Sequence, residues 1–291
     1  MNRHENSTDW LPLVAAVGLW MPAMIAASYA WQYGDYYDYG WFVPPAAVWL
    51  MVKRWREVDG WVEMPQRWVW VVAAMVLLPW ILVLRVLGYA DPLWRLPVGL
   101  LGVTAAVASH GLLWLSCGWR VSLGFGWLTL LWLSALPWPT VVETRLVSEL
   151  TQAVVTAVAE IFQNFGKPVE VMGDRLQLRD LTVEVTDGCS GVRSFQSFVM
   201  ATWFFAELQR LRVPQALGLL ACACATAMVV NIARTYALAL IRFEEGQEAF
   251  QRAHDWIGLL AFVVSGLVFY VISGKLGGRT GRKLIRTVQT K

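Results

Sequence analysis

Runs of about twenty apolar residues recur along this chain of 291 residues, and no other feature restricts its fold so severely. Hydrocarbon offers backbone N–H and C=O groups no partners, so a run of that length has to satisfy them within itself, as a helix. The composition agrees. Hydrophobic residues make up 57% of the chain and charged residues 15%, where a soluble domain carries roughly a quarter charged. The expected class is an all-α integral membrane protein.

The apolar runs predict about eight spans, at 11–31, 41–52, 68–88, 96–116, 121–142, 191–208, 213–241 and 256–274. The second is short and broken by Pro44 and Pro45, so it reads either as a span or as a re-entrant segment. The first is too long for a signal-peptide core and is expected to be a retained helix. No long linker, low-complexity tract or internal repeat interrupts the pattern, so a single membrane domain over 1–291 is expected.

Charge sets the orientation. With eight spans both termini share one side, and that side collects fourteen Lys/Arg, six of them in the tail 275–291, against eight opposite. By the positive-inside bias the termini are expected to be cytoplasmic. The net charge of +3 implies no nucleic-acid partner, because the basic residues border apolar runs and form no single patch. The partners expected on composition alone are membrane lipids.

Residues 143–190 form the longest polar segment and are expected outside, before the sixth span. Their first half, "ETRLVSELTQAVVTAVAEIF", has helical apolar spacing suited to an interfacial helix. The second half, "VEVMGDRLQLRDLTVEV", alternates around Gly173-Asp174 as a small hairpin would. It leads into "TDGCSGVRSF", which contains Cys189.

A thiol at a helix start meets unpaired N–H groups and the positive dipole end, and both favour thiolate. Ser190 and the flanking glycines suit a sharp turn, and Arg193 lies about one helical turn from Cys189. The same tetrapeptide also reads as a helix cap with an inert cysteine, and on these residues alone both readings stand. Cys222 and Cys224, in mid-span, read as packing residues. The four cysteines have neither metal-ligand nor disulfide-framework spacing.

Two further stretches reach the same membrane face. In "VVNIARTYALAL", Asn231 and Arg234 share a helix face, and an arginine inside an apolar span faces a cavity, a partner or the lipid phosphates. Arg234 lies about 33 Å along the helix from the cytoplasmic Arg212, at 1.5 Å per residue. In "RAHDWIGLLAF", His254 stands at the outer entrance to the last span. A cysteine nucleophile, a histidine acid/base and an arginine donor to a developing oxyanion suffice for acyl transfer.

In order and layout these motifs resemble the exosortases and archaeosortases, multi-pass membrane cysteine transpeptidases. The resemblance rests on "DGCSGVRSF", "NIAR" and "HDWIGLLAF", with an early "YYDYGWFVPPAAVWLMVKRW", and extends over most of residues 30–275. It implies Cys189 as nucleophile, Arg234 as electrostatic stabiliser and His254 as general acid/base, with Ser190, Arg193 and Asn231 supporting substrate. A histidine at the last position is similar to the bacterial exosortase type. Two departures concern subfamily and target signal: Tyr39 stands where many members have histidine before Gly40, and "TDGCSG" replaces a commoner lead-in.

The implied activity is that of a cysteine protease and transpeptidase sorting exported proteins at the outer membrane face. Its partners would carry a C-terminal tripartite tail, namely a signature such as Pro-Glu-Pro, a transmembrane helix and a basic cluster. The scheme requires no metal and no organic cofactor. Two rivals are weaker. A transporter or assembly scaffold would need ionisable machinery that spans one to five largely lack, beyond Arg85 and His110. A thiol–disulfide enzyme would need a second cysteine near Cys189, and the chain has no CxxC.

Overall fold

The computed structural model describes residues 10–58, 65–92, 94–178, 181–185 and 191–288, with side chains described as far as residue 277. Contacts gather in two compact units, one ending at Pro139 and the other beginning at Thr140.

The first unit contains α1 (Leu11–Tyr33), a short 3-10 turn (Asp38–Phe42), α2 (Val43–Trp55), α3 (Arg67–Ala90), α4 (Arg95–Cys117), α5 (Trp119–Gly124) and α6 (Gly126–Ser134). Its core is aromatic. Trp20 of α1 stacks on Trp132 of α6 with centroids 5.4 Å apart. The last carbonyls of a helix lack intrahelical donors, and side chains from residues 31–39 meet those of α6. Trp31 Nε1 donates to the Ala135 carbonyl at 2.7 Å, and the Tyr39 hydroxyl donates to that of Ser134 at 2.9 Å. Gly40 is what lets the turn close. A Cβ there would fall 2.3 Å from the Trp31 ring.

The expected span 121–142 is not one helix. It divides at Phe125 into α5 and α6 and ends before Pro137 and Pro139. Pro137 lacks the N–H that would continue α6. The break is held from the side: Arg54 of α2 donates to the Gly124 carbonyl at 2.6 Å, and His110 of α4 lies 2.9 Å from Ser122 Oγ and 2.7 Å from Thr129 Oγ1.

The second unit holds α7 (Thr140–Asn164), β1 (Glu170–Met172), β2 (Arg175–Leu178), β3 (Leu181–Glu184), α8 (Val192–Leu208), α9 (Val213–Glu244) and α10 (Gln247–Val288). The expected hairpin at Gly173-Asp174 is present, with Met172 opposite Arg175 and Gly173 at φ +66, the sign that tight hairpin turns favour there. A third strand joins it antiparallel, with Leu176 opposite Val183. Those two side chains, with Val155, Val158 and Phe162 of α7 and Ala239 of α9, form a buried core.

Among the described residues, five helices are long and apolar enough to cross a membrane: α1, α3, α4, α9 and α10. On α3 Leu84 is the buried side chain, as expected for a helix facing lipid on most sides. Of the eight expected spans, 41–52 and 191–208 correspond to the 13-residue α2 and the 17-residue α8. The chain is a membrane protein built mostly of helices.

Candidate active site

α9 places two motif residues against two different neighbours. Asn231 and Arg234 are three positions apart, and residues so spaced lie on adjoining parts of one helix face. Asn231 is buried and packs against the turn that starts α8. Gly191 caps that helix with φ +84, and a Cβ on it would stand 3.0 Å from the Asn231 amide. The position therefore suits glycine twice over, by backbone conformation and by space.

Arg234 faces α10 instead. Its Nη2 lies 3.3 Å from Nε2 of His254. A Cβ on Gly258 would sit 3.9 Å from its Nε and Nη2. His254 and Gly258 are four apart, hence on one helix face, and both border the guanidinium. Nε of Arg234 is buried without a hydrogen-bond partner among the described residues.

The contacts dictate the state of the imidazole. A guanidinium only donates, so Nε2 of His254 presents its lone pair to Arg234. Nδ1 then carries the proton and donates to Asp255 Oδ1 at 3.2 Å. The Phe250 ring covers part of the imidazole, with centroids 5.8 Å apart. The His254 side chain nevertheless remains 39% exposed, open enough for a reacting group to approach.

Arg234, His254 and Asn231 are thus gathered around the upper part of α9. Arg193 is exposed on the first turn of α8. Cys189 and Ser190 lie outside the described residues, two and one positions before Gly191. Cys222 is exposed on α9, and Cys224 is half-buried on the same helix.

The model of the transmembrane exosortase family matches residues 31–271. The chain belongs to that family. No curated protein and no solved structure matches it. The matched region of this exosortase includes all three motifs together with the Tyr39-Gly40 turn that packs on Trp31.

Two neighbours of the Arg234–His254 pair had no role assigned to them from the sequence. Gly258 was visible only as a glycine after the histidine, although its spacing of four already put it beside His254. Asp255 was overlooked because adjacent residues on a helix ordinarily diverge. Nothing in the sequence signalled a third feature: Gln196 of α8 is 1% exposed, and both of its amide atoms lack hydrogen-bond partners among the described residues.

Proposed function

We propose that this exosortase cleaves the C-terminal sorting tails of exported proteins through a thioester on Cys189, at the outer face of the cytoplasmic membrane. The observation that carries the reading is the Arg234–His254 contact at 3.3 Å, made from the same helix, α9, whose Asn231 packs against the turn that follows Cys189 in the sequence. Membrane arginines are costly, and one held against a histidine of a neighbouring helix suits electrostatic work better than anchoring.

The chemistry follows from these groups. A tail carbonyl entering the site competes for the Arg234 N–H groups, and the shift of Arg234 toward that oxygen frees the Nε2 lone pair of His254. His254 takes the Cys189 thiol proton, and the sulfur forms a bond to the carbonyl carbon. Arg234 holds the developing oxyanion. On collapse the C–N bond breaks, and His254 delivers its proton to the leaving amine. An acceptor amine, or water, then attacks the thioester and restores the thiol. The substrates would carry a short signature, a transmembrane helix and a basic cluster, and the basic end would remain on the cytoplasmic side with both termini of the enzyme.

The test is processing of a tail-bearing substrate in membranes. Cys189→Ala should abolish it at an unchanged membrane level of enzyme, while a Cys222→Ala, Cys224→Ala double variant should process normally. An active Cys189→Ala enzyme would rule out the thioester.

A further inference from the structure

A cavity of about 130 Å³ opens beside the α8 turn, and Gly191 and Asn231 form one end of it. From there it follows α9 past Met228 and Ala227 to Cys224, with Phe195 of α8 as a further wall. Those α9 positions, 224, 227, 228 and 231, form one helical stripe about 10 Å long at 1.5 Å per residue. Apart from the Asn231 amide, the side chains lining it are apolar or weakly polar.

Size and polarity define what fits. Apolar cavities of about 150 Å³ stay dry and accommodate a molecule the size of benzene. A cavity slightly smaller and equally apolar suits a short branched or cyclic aliphatic side chain and has no room for an indole. Its described lining offers a carboxylate or ammonium no charged partner, so burying either there would be costly. Gly191, which lines it, follows Cys189 by two positions in the sequence, within reach of the side chain of a substrate residue next to the attacked carbonyl.

We infer that the cavity between Gly191 and Cys224 is the specificity pocket for the tail, and that it selects one aliphatic side chain of valine, proline or leucine size. This rests on the thioester reading above. Cys224 acts in it as a wall and takes no part in the reaction. Asn231 lines the cavity and packs against the α8 turn.

The experiment uses full-length enzyme in liposomes and a set of tail substrates carrying Gly, Leu or Trp in turn at each signature position. At one position the unaltered enzyme should prefer Leu to Gly and to Trp by about tenfold or more, the usual worth of filling an apolar pocket. Cys224→Phe, which fills the cavity, should move the preference toward Gly. Met228→Ala, which enlarges it, should move the preference toward Trp, so the two variants check each other if one folds poorly. A size ranking that neither variant moves, while processing still depends on Cys189, overturns the pocket alone. Processing that persists in Cys189→Ala overturns the thioester reading and the pocket with it.

Discussion

Nη2 of Arg234 and Nε2 of His254 stand 3.3 Å apart, so the guanidinium covers the lone pair that general-base chemistry would require. On the proposed function the pair would be a resting arrangement, with the substrate carbonyl as competitor for the arginine.

Arg234→Lys keeps the charge and removes the planar, multi-donor geometry. Loss of one oxyanion donor typically lowers the chemical step by ~10²–10³-fold. Processing by the lysine variant should fall by about that factor at normal membrane levels. Activity close to normal would make Arg234 a lipid anchor, a role that lysine fills equally well.

His254→Asn should reduce processing to near background, whereas Asp255→Asn should change it by no more than about fivefold. The difference follows from exposure. The Asp255 side chain is 94% exposed, and solvent-screened pairs contribute ~0–1 kcal/mol. Equal losses in the two variants would make Asp255 as necessary as the histidine.

Gly258 supplies a graded steric test of the guanidinium. A Cβ at 3.9 Å is ordinary contact, so Gly258→Ala should process tails almost normally. Gly258→Leu places further atoms into the space of Arg234 and should lower activity at least about tenfold, with unchanged folding by circular dichroism. If the leucine variant retains full activity, the contact seen between α9 and α10 is not the working geometry.

Gly191→Ala combines a left-handed backbone conformation, worth ~1–2 kcal/mol, with a 3.0 Å approach to Asn231. Its thermal midpoint in detergent should fall by several degrees and its processing should fall with it. Gly191→Ala, Asn231→Ala should recover part of the stability by relieving the clash, and no recovery would leave backbone conformation as the whole cause.

In the first unit, Gly40→Ala drives a methyl into the Trp31 ring, and overpacking of this kind costs ~1–3 kcal/mol. The variant should accumulate poorly or unfold at lower temperature. Normal stability would mean that the Asp38–Phe42 turn can shift away from α1.

The membrane class was legible because long apolar runs have few structural outcomes: α1, α3, α4 and α9 follow them closely, while α10 begins nine residues before the expected run 256–274 and continues past it. The α5–α6 break was not, because an apolar run reads alike whether continuous or interrupted. Arg54 and His110, which hold that break, come from distant parts of the chain. The hairpin turn was marked by Gly173, while its third strand required Val183 to find Leu176 across the sheet. At the site, residue types suggested the chemistry, and helical spacing put Asn231 and Arg234 on one face. Which neighbour each would meet was invisible: Asn231 turned out to support α8, and Arg234 to meet α10.

α9 is 32 residues long, about 48 Å, and its last third lies against α7 and the three-stranded sheet. With about 33 Å between Arg212 and Arg234, the helix measures off a bilayer whose hydrocarbon is ~30 Å thick. On the proposed function it would work as a ruler: in lipids of ordinary chain length Arg234 would stand at the boundary, and longer acyl chains would submerge it. An enzyme built this way is matched to the thickness of its membrane as well as to its substrates.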